Sequence, residues 1–285
     1  MRLTAPSDTL LATREADRAT PATPPRGTAV IERFGLRHGD TEVGVLAIRT
    51  GTEFDRPVAV LDDLWIRPEH RRSGLGAAAV AEAERWASGH GAPRLSVACV
   101  PDDPAHLALF RDYQVVSRHM VIPVGDAVEP TAIRADPMTE AEYGPWLAHS
   151  VTGFAEVTAE SQGFTPEEAT DRAKQVFAQL LPDGLATEGH ELWMVRQGDD
   201  VVAHLWLFHD APDGHTFIFD IEVTPDRRGT GLGKETMALA RWRAAVHGRD
   251  GVKLNVFATN EVATGLYRRL GYRATVEFRF KALTG

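Results

Sequence analysis

At 285 residues the chain has room for two domains of ordinary size, and 43% hydrophobic with 25% charged residues is the composition of a globular protein with a sizeable core. A formal net charge of −9 argues against a nucleic-acid backbone as main partner, which demands cations clustered over a broad face, and it is compatible with a cationic amine approaching a cleft. No apolar run reaches the length of a membrane span, and the single Cys99 rules out an intrachain disulfide, so cytoplasm is the expected compartment.

Residues 1–27 carry Pro6, Pro21, Pro24 and Pro25 with no sustained period and read as a flexible or loosely docked arm without a secretory leader. Residues 30–37 and 43–49 alternate as two strands joined through His38-Gly39-Asp40. A strand at 58–66, an Ala-rich helix at 75–88, a strand at 94–100, a short helix at 104–113 and a closing strand at 115–124 follow. Residues 125–130 read as a linker. The second half is fuller: a strand at 131–135, helices at 139–159 and 166–181, strands at 192–196, 201–208 and 215–223, a helix at 231–247, a strand at 252–257, a helix at 261–270 and a strand region at 272–283. The expected domains are thus 28–125 and 131–285 behind the arm.

The two halves repeat. Adding 157 to a residue number carries Pro68 to Pro225, Arg71 to Arg228, Gly74-Leu75-Gly76 to Gly231-Leu232-Gly233, and Phe110-Arg111 to Tyr267-Arg268. A repeat of domain size means a duplicated domain, not a solenoid.

The chemistry-bearing segment runs from Ile221 through Val223, Pro225 and Arg228-Gly229-Thr230-Gly231-Leu232-Gly233-Lys234. A strand enters a Gly-rich turn and a helix begins. Glycines let several backbone N–H groups converge on one anion, and the helix adds the positive end of its dipole, so the segment suits a pyrophosphate. Arg227, Arg228 and Lys234 add cationic reach. An ATP-type P-loop and a dinucleotide Gly-x-Gly-x-x-Gly are both absent, and the turn follows the fourth strand of its domain instead of the first.

Arg228-Gly229-Thr230-Gly231-Leu232-Gly233 followed by Asn260-Glu261-Val262-Ala263-Thr264-Gly265-Leu266-Tyr267-Arg268-Arg269-Leu270-Gly271-Tyr272 resembles the GNAT (GCN5-related N-acetyltransferase) superfamily. The resemblance spans nearly all of 131–285 and, more weakly, 30–124. It implies an α/β fold of the α+β type: two tandem GNAT folds, each a mixed, largely antiparallel sheet flanked by helices, with the N-terminal copy truncated. It further implies acetyl-CoA or a close acyl-CoA as co-substrate. In that reading Ile221 and Val223 offer backbone groups to the pantetheine arm and acyl carbonyl. Arg228, Gly229, Thr230, Gly231, Leu232, Gly233 and Lys234 hold the pyrophosphate, and Asn260 meets the cofactor arm.

Acyl transfer from a thioester to an amine needs a neutral amine, donors for the oxyanion and a proton for the leaving thiolate. No covalent nucleophile is required, so direct attack is the economical mechanism. The resemblance makes Tyr267 the general acid, whose phenol carries the proton that Phe lacks. Asp220 and Glu222, two apart on one strand, share a face and are the candidate bases or amine holders. His204, His209 and His215 are further candidates without metal-ligand spacing, and no metal is expected. Trp146, Phe154, Glu156 and Phe164 on the two preceding helices are candidate acceptor-pocket residues. In the first half Phe110, Asp103 and Gln114 stand in the Tyr, Asn and Gly places, so that copy is expected to be a degenerate, structural partner.

The expected activity is acetylation of a primary amine of a small molecule, with monomer and homodimer both open. Mycothiol synthases resemble the same tandem layout. A non-catalytic acyl-CoA sensor and a protein or peptide N-acetyltransferase are the alternatives.

Overall fold

The computed structural model describes residues 1–16, 29–53, 56–162 and 164–283. They fall into two units, Met1–Ser117 with Val276–Gly285, and Arg118–Thr275.

In the first unit β1 (Arg2–Thr4) and α1 (Asp8–Ala16) precede a meander of β2 (Val30–His38), β3 (Thr41–Glu53) and β4 (Arg56–Ile66). After it come α2 (Leu75–Gly89), β5 (Arg94–Cys99) and α3 (Pro104–Leu109). The sheet order is β1-β2-β3-β4-β5, completed by the second part of the last strand, β12 (Arg273–Ala282). Only β4 and β5 are parallel among these. Ala79, Ala83 and Ala87 put a stripe of small residues on α2, which lets the helix lie close over Leu46, Ile48, Leu61 and Leu95.

Two expectations are corrected here. Residues 1–16 are not a loose arm: β1 pairs with β2, Leu10 is fully buried against Val45 and Trp65, and Arg14 makes a two-point bond to Asp63. Residues 17–27 of the arm lie outside the described residues. The boundaries also differ from 28–125 and 131–285. The chain divides at Ser117, and Val276–Gly285 belong to the first unit because β12 pairs antiparallel with β5 from Glu277↔Cys99 to Ala282↔Arg94.

The second unit takes the end of β6 (Gln114–Pro123), then β7 (Arg134–Pro137), α4 (Glu140–Gln162), α5 (Pro166–Leu180), β8 (His190–Gln197), β9 (Asp200–Phe208) and β10 (His215–Val223). It continues through α6 (Leu232–Val246), β11 (Gly251–Phe257) and α7 (Glu261–Arg269). Its sheet order is β6-β11-β10-β9-β8-β7; β7 to β10 are antiparallel and β10–β11 parallel. Helix α5 starts where Pro166 at its first position and a capping box between Thr165 and Glu168 dictate.

Alternation along β9 sorts the two faces. Ala203, Leu205 and Leu207 join Met237, Leu239 and Ala240 of α6, whereas Trp206 joins Trp146 of α4 and Phe177 of α5. Each of the fully buried Leu205, Leu207 and Met237 side chains contributes about 1.5–3 kcal/mol of transfer free energy.

The feature that positions the site is a bulge. Strand β10 pairs with β11 only from His215↔Gly251 to Ile218↔Leu254, while its register with β9 slips between Ile218 and Asp220, leaving Phe219 extra. Such an insertion bends and twists the strand, and here the parallel pair parts beyond it. The first unit does the same: β4–β5 pairing stops at Leu61↔Val97 and the β3 register slips between Leu61 and Asp63. Asp62 and Phe219 are related by the offset of 157, so the duplication extends to the irregularity.

Candidate active site

Beyond the end of β10 the chain makes one turn of 3-10 helix at Pro225–Arg227, and Thr224 N–H is held by Val202 O (3.0 Å). Gly229 (φ +77°) and Gly231 (φ +94°) then carry the backbone into the left-handed region, and an added Cβ at either would meet open space. Gly231 is the N-cap of α6 with no side-chain cap, so the positive end of the helix dipole faces out of the turn. That fits an anionic pyrophosphate. Arg228 donates from Nε to Val223 O (3.2 Å) and from Nη2 to Glu222 Oε1 (2.9 Å). Arg227 is tied to Asp200 and Asp226.

The first unit builds the same turn. Arg71 Nε donates to Ile66 O (2.9 Å), and Gly74 (φ +82°) caps α2. The residue matching Gly229 is Arg72, held at φ +59°. A left-handed non-glycine residue stores strain on the order of 1 kcal/mol. We therefore expect Arg72→Gly to stabilise the intact chain by about 0.5–1 kcal/mol in urea unfolding, part of the relief being offset by the greater freedom of glycine in the unfolded state.

Where β10 and β11 part lies a cleft of about 150 Å³, lined by Ile218, Asp220, Ile221, Asn255, Asn260 and Tyr267 among others. Asn260 caps α7 through Oδ1, which accepts from Ala263 N–H (3.0 Å). The Tyr267 ring is buried in the core, and burial, reinforced by the Asp220 charge, pushes its phenol up to about 12. It carries its proton at neutral pH.

Asp220 Oδ2 accepts from Ser150 Oγ (2.7 Å) and from His204 Nε2 (3.0 Å). Burial would raise its carboxyl, but these bonds outweigh burial and hold it below the ordinary aspartate value. Glu222 Oε2 accepts from His149 Nε2 (2.6 Å) while its other oxygen takes Arg228. Asp220 and Glu222 thus share the α4 face, as their spacing requires, but only Asp220 lines the cleft.

His149 and Ser150 are the residues that sequence reasoning missed. They sit mid-helix without a motif, and only the packing of α4 over β10 gives them a role. Trp146, Phe154 and Phe164 are packing residues: Trp146 meets Phe177 and Trp206, Phe154 meets Phe177, and Arg172 lies over the Phe164 ring. Glu156 is exposed. Of the three histidines singled out in the sequence, His204 alone reaches a candidate acid; His215 pairs with Asp213.

His209 belongs to a separate cluster. Glu191 accepts from Trp193 Nε1 (3.0 Å) and Arg243 Nε (2.9 Å), with His247 Nε2 at 2.9 Å and His209 Nε2 at 3.2 Å. Glu191, His209 and His247 come within metal-binding reach of one another. Yet Arg243 already occupies the carboxylate, and the two imidazoles stack in parallel (3.8 Å, 11°), so their lone pairs do not converge on one ion.

In the first unit Phe110 fills the Tyr267 place and Trp65 the Glu222 place, both buried. Asp63, matching Asp220, is neutralised by Arg14, and Asp103 caps α3 as Asn260 caps α7.

The model of the acetyltransferase (GNAT) family matches residues 7–113 and 154–272. Over 146 residues the chain is 33% identical to YycN of Bacillus subtilis, described as an uncharacterized N-acetyltransferase, covering 50% of this chain and 94% of that protein. Over 256 residues it is 26% identical to the mycothiol acetyltransferase of Streptomyces scabiei, covering 84% of this chain and 77% of that one. A solved tandem GNAT protein from the clavulanic acid biosynthesis pathway superposes with TM-score 0.50 at 17% identity, over 99% of this chain and 90% of the other, a likeness of fold. With two regions matched in one chain, each over a parted parallel strand pair and a Gly-rich turn, the chain belongs to the acetyltransferase (GNAT) family and is a transferase of its tandem two-domain kind.

Proposed function

We propose that this protein transfers an acetyl group from acetyl-CoA to a primary amine of a small molecule, using the second unit, while the first unit is structural. The observation that carries the reading is the cleft opened at Phe219, which has Asp220 and Tyr267 on its walls and the uncapped α6 turn beyond the same strand. Acetyl-CoA supplies the thioester carbonyl. Backbone groups of Ile221 and Val223 would align its arm, Asn260 would border it, and Arg228 to Lys234 would hold its pyrophosphate. The amine nitrogen attacks the carbonyl carbon directly and forms the N–C bond as the C–S bond breaks. Asp220, itself or through water, accepts the proton that the nitrogen loses, and Tyr267 gives its proton to the departing thiolate. Glu222, held by His149 and Arg228, is the second acid of the acceptor side. Similarity to mycothiol acetyltransferases supports a small acceptor. A cytoplasmic enzyme without nucleic-acid or membrane partners is part of the proposal.

Calorimetric titration of the whole chain with acetyl-CoA tests it. One site per chain, lost in Arg228→Ala and Gly231→Val, is the expected result. Two sites would make the first unit a second binding centre, and no binding would overturn the reading.

A further inference from the structure

Asp220 is a carboxylate with three quarters of its side chain removed from solvent, and its neighbours on every packed element are identifiable. From α4 come Ser150 and the Trp146 indole; from β9, His204; from α7, Tyr267. On its own strand Glu222 is balanced by Arg228 and His149. The two close donors, Ser150 Oγ at 2.7 Å and His204 Nε2 at 3.0 Å, land on the same oxygen, Oδ2. They come from different elements, 70 and 16 residues away in sequence, so the carboxyl is gripped from two sides and its side-chain torsions are fixed. His204 is in turn braced by Trp146 and His149, each in edge contact with its ring. In the first unit the matching Asp63 is instead taken by a guanidinium, that of Arg14, at 2.8 and 2.9 Å.

We infer that Ser150 and His204 are positioning residues of the transfer, which orient Asp220 and balance its charge so that it can accept the amine proton. The inference rests on the acetyl-transfer reading above. Neither residue touches the reacting atoms; both act through Asp220. A donor to a carboxylate favours its charged form, and burial without donors favours the neutral form. Removing a donor therefore moves the protonation of Asp220 to higher pH and takes the base away at pH values where the intact protein still has it.

The pH profile of kcat/KM for CoA release tests this, with acetyl-CoA saturating and ethylamine as probe acceptor. Ethylamine's own titration is common to all variants, so differences between profiles report the protein. Ser150→Ala and His204→Leu should each lower kcat about tenfold or more and displace the acid limb upward by about one pH unit. Acetyl-CoA affinity should stay within about twofold. Ser150→Thr keeps the hydroxyl and His204→Gln a donor nitrogen, and both should return the profile toward that of the intact protein. Ser150→Ala removes one oxygen and carries the test alone if His204→Leu fails to fold. An acid limb that stays in place in Ser150→Ala, or Thr and Gln variants no better than Ala and Leu, would overturn the inference while leaving acetyl transfer standing. Acetyl-CoA binding without ethylamine turnover in the intact chain would overturn it too. Failure of the intact chain to bind acetyl-CoA would overturn the acetyl-transfer reading and this inference with it.

Discussion

Tyr267→Phe is expected to lower kcat by about 10²–10³ while leaving acetyl-CoA affinity and thermal stability close to those of the intact protein. The ring is buried among the α6–β11 core and the residue also lines the cleft, so its packing and its chemistry are separable by removing one oxygen. The duplication supplies an internal control: Phe110 occupies the matching place in the first unit and is buried there without difficulty. The raised phenol value of about 12 has a definite consequence. A group whose titration is pushed up by burial stays protonated through neutral pH, so it acts as an acid and not as a base. Loss of activity from its ionisation should begin only in strongly alkaline solution. CoA release followed with a thiol reagent checks both points. An unchanged kcat in the Phe variant would assign the thiolate proton to water instead.

The second large effect concerns stability and lies away from the cleft. Glu191→Ala should cost about 3–5 kcal/mol, the range for breaking a largely buried ion cluster by removing one partner. Arg243 is mostly buried and makes two bonds to this carboxylate, and His209, His247 and Trp193 also depend on it. Deleting it strands a guanidinium at the interface of β8, β9 and α6. Burial raises the Glu191 value, yet bonds from His209, Arg243, Trp193 and His247 outweigh burial and set the net direction well below the ordinary glutamate range. The folded state thus binds the Glu191 proton less readily than the unfolded chain. Its stabilisation is fully present above the unfolded value of about 4.3 and is lost as pH falls below that toward the folded value. Urea unfolding of the intact chain and Glu191→Gln should therefore converge as pH drops below about 4 and stay apart at pH 7. A pH-independent gap would show that the cluster contributes by packing alone.

How far the residues alone reach differs between elements. Strand β10 was legible to the residue, 215–223, because alternation, a closing Pro and a Gly-rich turn are all local signals. The turn itself, the α6 start, the offset of 157 and the Tyr267 helix were legible for the same reason: backbone conformation at Gly229 and Gly231 and the capping of α7 by Asn260 are written within a few residues. Asp220 and Glu222 were placed on one face by the period of a strand. The sequence could not tell which of them borders the cleft.

What tertiary structure decided is everything that depends on residues far apart in the chain. The docking of residues 1–16 relies on Leu10 meeting Val45 and Trp65 and on Arg14 meeting Asp63, contacts 35 to 55 positions long that no local pattern announces. The destination of the last strand is another such choice, since Phe278 and Phe280 carry an acceptable alternation for more than one sheet edge and only the register with β5 selects one. The Phe219 bulge depends on how β9 is aligned, and the grip on Asp220 depends on α4 lying across β10 with Ser150 inward and on His204 of β9. By itself the sequence determined the elements, the duplication and the Gly-rich turn, because torsion preferences and hydrophobic periodicity are short-range. The partner of each charged group was decided by the fold, because a buried carboxylate is stabilised by whichever donors the packing brings within about 3 Å, wherever they stand in the chain.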